Sequence, residues 1–155
     1  MANLTDAGVQ DIFDRVVSHA LKQGRFERVN QHEPKNAPGK GLTCAVWVDY
    51  IGPALSSGLA VTSALLVLMV RVYSAFMQEP VDSIDPNAVS AVSALMGAYS
   101  GDFDLGQTIR AIDLLGMTGR TLSAQAGYIE IDRKIYRVMT IQMPIIINDA
   151  WAQAG

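Results

Sequence analysis

The stretch LAVTSALLVLMVRVYSAF at residues 59–76 decides how the rest of the chain must be arranged. Thr62 and Ser63 interrupt it and Arg71 ends its apolar run well short of the about 20 residues that cross a bilayer, so it belongs in a protein core. Its β-branched members Val61, Thr62, Val67, Val70 and Val72 favour a strand over a helix. As a strand it is apolar on both faces, Leu66, Leu68, Val70 and Val72 on one and Leu65, Val67, Met69 and Tyr73 on the other. The expectation is a long central strand in a sheet that is covered on each side.

Upstream, 42–51 alternates as a second strand, with Leu42, Cys44, Val46 and Val48 on one side and Ala45, Trp47, Asp49 and Ile51 on the other. Gly52-Pro53 is expected to break it. The preceding run His32-Glu33-Pro34-Lys35-Asn36-Ala37-Pro38-Gly39-Lys40-Gly41 reads as a loop, because its prolines remove backbone donors and its glycines admit dihedrals that regular elements exclude. Residues 26–31 form a short strand, with Phe26 and Val29 its apolar members. From Val9 the apolar positions Ile12, Phe13, Val16, Val17, Ala20 and Leu21 recur at helical spacing. Thr5 or Asp6 caps that helix and Gly24 ends it in a left-handed conformation.

Downstream, Asp85-Pro86 opens a second helix, with Asp85 as N-cap, Pro86 at the first helical position and Ile84 stapled to Val89. Val89, Val92, Leu95, Met96 and Tyr99 are its expected buried stripe and Gly101 its terminator. The apolar alternations at 109–115, 122–131 and 135–143 read as three strands. Asp132-Arg133-Lys134 closes a hairpin between the second and third, and Pro144 limits the last strand or marks an edge. The order α-β-β-β-α-β-β-β, with hairpin-linked strands around one helix, predicts an α+β fold: one domain over 1–155 with a mostly antiparallel sheet flanked by two helices.

The 155 residues suffice to bury a core without disulfides or structural metals. Half are hydrophobic and 17% are charged, so some apolar surface is expected to meet partners. The formal charge of −3 gives no basic footprint for nucleic-acid phosphates. The start Met1-Ala2-Asn3-Leu4-Thr5-Asp6 lacks the pattern of a secretory signal and Cys44 has no partner cysteine, so an intracellular setting is expected.

Residues that could carry chemistry are sparse. His19, near Lys22, reads as a surface residue, and one His with one Cys falls short of a zinc site. Cys44 reads as a small buried strand residue rather than a nucleophile. Pro38-Gly39-Lys40-Gly41-Leu42-Thr43 lacks both the upstream glycine and the hydroxyl residue directly after lysine that a phosphate loop needs. A calcium-loop reading of Asp102, Asp104 and Asp113 fails, because Gly106 and Gln107 occupy the wrong positions. The expectation is no enzyme, no cofactor and no metal; a small hydrolase using Asp113 or His32 would need a cleft joining His32, Cys44 and a carboxylate. Trp47 reads as core, and Trp151 as either core or interface.

His32-Glu33-Pro34-Lys35, Asn36-Ala37-Pro38, Ala45-Val46-Trp47, Ser57-Gly58-Leu59-Ala60 and Arg71-Val72-Tyr73 follow one another along the first half of the chain. Gln78-Glu79-Pro80, Ile84-Asp85-Pro86, Tyr99-Ser100-Gly101-Asp102-Phe103, Ile112-Asp113-Leu114-Leu115-Gly116, Gly127-Tyr128, Tyr136-Arg137-Val138 and Asn148-Asp149-Ala150-Trp151 continue the series. In order and spacing this series, from about Val9 onward, resembles the tail terminator proteins of long-tailed bacteriophages, of the actinobacterial siphophage type. The resemblance implies an α+β subunit that is not an enzyme and that associates as a hexameric ring. The ring would sit in the virion neck after synthesis in the host cytoplasm, cap the head-proximal end of the tail tube, and end polymerisation of the major tail tube protein. It would also present a surface to the head-completion or stopper protein, with no membrane involved. A stopper or head-completion ring is the alternative, and a ring-free binding domain of a cellular protein a further one.

Interface positions expected on this footing are Pro34, Lys35, Asn36, Pro38 and Lys40, since so long a connection usually has a function. Arg120, in a second candidate loop after Gly116, and Trp151 are added to them. Genomic DNA would pass through the lumen without specific binding, repelled by carboxylates such as Asp102, Asp104 or Glu130.

Overall fold

The computed structural model describes residues 4, 6–32, 41–54, 63–75 and 84–148. In chain order the elements are α1 (Asp6–Lys22), β1 (Phe26–Asn30), β2 (Leu42–Pro53), β3 (Ser63–Ala75), α2 (Ile84–Gly101), β4 (Ala111–Ile112), β5 (Ser123–Ile131) and β6 (Lys134–Asn148). This is the α+β order α-β-β-β-α-β-β-β, with two helices and a curled, mostly antiparallel sheet of six strands. The strands lie in the order β1-β2-β3-β6, and the far side of β6 is shared by β5 along its first part and β4 along its last.

The stretch that reads as a central strand is one: β3 pairs with β2 on one side and β6 on the other along nearly its whole length. Positions 59–62 and 76 of the expected strand lie outside the described residues. Among the described residues, helices cover one face of the sheet. Leu66, Leu68, Val70 and Val72 of β3 join Cys44 and Val46 of β2 and Ile141, Met143, Ile145 and Ile147 of β6 in one core. Ile12, Val16, Val17 and Ala20 of α1 and Ala91, Val92, Leu95 and Tyr99 of α2 close it from above. On the opposite face of the curled sheet Ala45, Tyr73, Tyr136 and Val138 form a second cluster edged by Trp47, Ile129 and Ile131, and Ala54, Leu65, Val67 and Ile146 a third.

Several local expectations change in the tertiary context. β1 pairs with β2 in parallel, the one parallel pairing among the described strands of a mostly antiparallel sheet. β2 runs on through Gly52 and Pro53, which pair with Leu65 and Ala64. β1 reaches only as far as Ala45, so Pro53 lies on an edge where its missing N–H is tolerated. A bulge between Val48 and Tyr50 absorbs Asp49 and reverses the alternation, setting Tyr50 on the side of Trp47 and Ile51 on the side of Val46.

α2 begins at Ile84, two residues before Pro86, so Asp85 lies inside the helix, and it buries Ile84, Ala88, Ala91, Val92, Leu95 and Tyr99. Val89, expected in the stripe and in a staple to Ile84, is 50% exposed. Arg137 grips the Asp85 carboxylate at 2.9 and 3.4 Å, tying the start of α2 to β6. Gly24 ends α1 with φ +64°, as its position predicts, whereas left-handed residues after α2 come at Leu105, Gly106 and Gln107 rather than at Gly101. The caps expected from Thr5 or Asp6 lie outside the described side chains.

The expected strand at 109–115 shrinks to Ala111–Ile112, and the expected stop at Pro144 does not occur. The Pro144 carbonyl accepts the Asp113 N–H at 2.8 Å, on the side of β6 away from β3. Its ring nitrogen faces the same way, into the gap between Gln142, which pairs with β5, and Ile145, which pairs with β4. No bond of the β3–β6 ladder is lost there.

Candidate interaction site

The loop from Asp113 to Leu122 joins β4 to β5, and one buried carboxylate shapes it. Asp113, 3% exposed, uses Oδ1 to accept the N–H groups of Gly116 at 2.9 Å and Met117 at 3.0 Å. Its Oδ2 accepts the N–H of Thr118 at 2.8 Å and the Thr118 hydroxyl at 2.6 Å. The backbone of Asp113 anchors the same loop to the sheet, its N–H on Pro144 and its carbonyl on the N–H of Leu122. Burial works against the charged form, but the Thr118, Met117 and Gly116 donors outweigh it and hold the carboxyl below the usual carboxylate range. This network turns the chain out of the expected strand: an aspartate side chain that captures amides a few residues ahead competes with the β-ladder. Gly116 and Gly119 supply the positive φ values, +79° and +91°, that the turn requires.

The loop holds large apolar side chains in solvent. Leu115 is 88% exposed and Met117 69% exposed, and Leu114 beside them is also exposed. Thr121 Oγ1 donates to the Leu114 carbonyl at 2.9 Å, and Gly119 N–H to the Gly116 carbonyl at 3.0 Å, so the exposed tip is internally braced. Arg120, the one expected interface residue within the described part, reaches to β2, where its guanidinium lies 4.7 Å from the Tyr50 ring centroid and 3.8 Å from Asp49 Oδ2. Val48, Tyr50 and Ile51 of β2 are exposed apolar side chains. Pro34, Lys35, Asn36, Pro38, Lys40 and Trp151 lie outside the described residues.

The helix-free sheet face next to this loop carries a shallow groove lined by Met69, Ser123, Gln125, Thr140 and Gln142. Arg71 crosses its end, donating from Nε to Thr140 Oγ1 at 2.7 Å while stacking 5.0 Å from the Trp47 ring. Trp47 is thus half-buried at the rim of the second cluster.

The side chains that could carry chemistry are dispersed. Cys44 is fully buried in the main core, where loss of hydration pushes its thiol up to about 12. His32 is exposed, so it and the buried Cys44 do not line one common cleft. Among the described residues no group of three or more His, Cys, Asp or Glu side chains could hold a metal ion.

His19 departs from the expected surface role. Its Nε2 lies 2.8 Å from Asp102 Oδ2, and its ring meets Tyr99 edge-on with centroids 5.5 Å apart. Tyr99 in turn donates its hydroxyl to the Val16 carbonyl at 3.0 Å, so the trio joins the end of α1 to the end of α2. Asp102 also accepts the Gly106 N–H at 2.9 Å. Desolvation opposes ionisation of Asp102, but the bonds from His19 and Gly106, with the charges of His19 and Arg15, lower its pKa. This arrangement pins two helices and is a structural use of both titratable side chains.

No protein-family model matches the chain, and no curated protein is significantly similar to it.

Proposed function

We propose that the chain is a structural neck protein of a long-tailed bacteriophage, a tail terminator whose copies form a ring, hexameric in the family it resembles. The observation that carries this reading is the locked loop at 113–122, which holds Leu115 and Met117 in solvent beside Arg120 and Tyr50. Exposed apolar side chains on a preorganised frame suit docking to another protein, because little conformational freedom remains to be lost on binding. The ordered series of motifs from about Val9 to Trp151 supplies the family reading, and the α+β architecture accords with it.

In this reading the ring caps the head-proximal end of the tail tube, ends polymerisation of the major tail tube protein and receives the stopper or head-completion protein. The loop at 113–122 makes one of these contacts. Asp102, Asp104 and Glu130 are proposed for the lumen, where carboxylates repel passing DNA.

The test is electron microscopy of phage particles lacking this protein. Overlong or headless tails are expected. Tails of correct length on leaking heads would move the assignment to a stopper or head-completion ring, and normal particles would end the neck reading. In particles carrying Leu115→Asp with Met117→Asp, the same tail defect is expected while the purified variant keeps the melting temperature of the unaltered protein.

A further inference from the structure

β5 is an outer strand of the sheet, pairing with β6 and with no other described strand. Its sequence, Ser-Ala-Gln-Ala-Gly-Tyr-Ile-Glu-Ile, holds Glu130 as its one charge, contains no proline and has no bulge in its register. Ala124, Gln125 and Ala126 are exposed. Outer strands normally carry lysines, prolines or bulges that prevent edge-to-edge pairing. The opposite outer strand, β1, shows such guards, with Glu27 and Arg28 exposed and an irregular register between Phe26 and Arg28.

The phase of the ladder tells which backbone groups face outward. The turn between β5 and β6 consists of Asp132 and Arg133, with φ +51° and +63°, the two-residue geometry in which the flanking pair Ile131 and Lys134 is hydrogen-bonded. Counting back by twos, Ile129, Gly127, Gln125 and Ser123 bond to β6. The Gly127 carbonyl agrees, since it also accepts Arg137 Nη1, a β6 side chain, at 3.3 Å. The intervening residues, Ala124, Ala126 and Glu130 among them, direct N–H and C=O away from the sheet.

We propose that β5 pairs antiparallel with β5 of a second copy of this chain, about a two-fold axis at Gly127. In this register Ala124 faces Glu130 of the other copy and Ala126 faces Tyr128, both as hydrogen-bonded pairs. Gly127 faces Gly127 as a non-hydrogen-bonded pair, the closer kind. The sequence of β5 complements itself in this arrangement. Its first half is small and its second half large, so each large side chain meets a small or slender one and no like charges are opposed. A two-fold contact closes on itself and cannot alone generate a cyclic ring, so this pairing is separate from ring formation.

The experiment uses the full chain with Gly127→Cys, mildly oxidised and then resolved without reductant. The site tolerates the change, because a Cβ there meets only Val138 Cγ2 at 3.9 Å, and native Cys44 is buried away from oxidation. A disulfide-linked dimer is expected from Gly127→Cys and not from Gln125→Cys, whose counterpart lies several residues away in this register. Sedimentation should show the unaltered chain shifting from one to two copies as concentration rises. Ala126→Lys should abolish the shift without lowering the melting temperature.

No cross-link at position 127, equal cross-linking at 125, or a concentration-dependent dimer that survives Ala126→Lys would each overturn the proposal. Should Ala126→Lys fail to fold, the cross-link comparison decides alone. A ring without the cross-link removes this pairing and leaves the neck reading standing; a cross-linked dimer with normal phage tails does the reverse.

Discussion

Asp113 shows how one side chain can redirect a segment whose apolar pattern points elsewhere. Ile109, Ala111, Leu114 and Leu115 look like parts of one strand, yet the carboxylate gathers the three amides that follow and the chain leaves the sheet after Ile112. Asn at this position keeps one acceptor but sets an NH2 group against the donors of Thr118, so Asp113→Asn should cost about 2 kcal/mol or more. Urea unfolding would measure the loss, and limited proteolysis would show new cleavage within 114–121. The pH dependence follows from the depressed pKa of the folded state. The stabilisation is complete above the unfolded value of about 4 and is lost as pH falls through the lower folded value. Melting temperature should therefore be flat from neutral pH down to about 5 and fall below about 4, less steeply in Asp113→Asn. Tyr99→Phe removes the hydroxyl bonded to the Val16 carbonyl and should cost about 1 kcal/mol, read in the same unfolding assay.

Among elements, those governed by their own residues were legible and those governed by distant partners were not. Asp85-Pro86 located the start of α2 to within two residues, Gly24 marked the end of α1, and the two-sided apolar pattern of β3 announced its central place. The parallel pairing of β1, the bulge at Asp49 and the continuation of β6 past Pro144 all depend on neighbours remote in sequence. The loop at 116–120 was marked by its glycines, but the exposure of Leu115 and Met117 follows from the Asp113 network, and the pairing of His19 with Asp102 from the way α1 meets α2. Pro144 offers a test at this scale. Since its nitrogen faces the gap between β4 and β5, Pro144→Ala should change stability by less than about 1 kcal/mol. Ile145→Ala, one residue on and fully buried, should cost about 2 to 5 kcal/mol in the same measurement.

At the scale of the whole molecule, the two broad faces of the sheet have different tasks. One is sealed by α1 and α2 into the main core. The other keeps a polar groove and, at its border, the locked loop with its exposed apolar tip, which is where partners are proposed to dock. The order of the strands bears on how the protein is made. β6 joins β3 to both β4 and β5, yet of all the described elements it is the last to leave the ribosome. Until it emerges, β3 has one bare flank and β4 and β5 have no partner among the described strands, so the nascent chain carries its most apolar strand half-clothed until then. Such late, long-range closure, with β3 waiting for a partner far along the chain, favours slow folding and a need for chaperone cover.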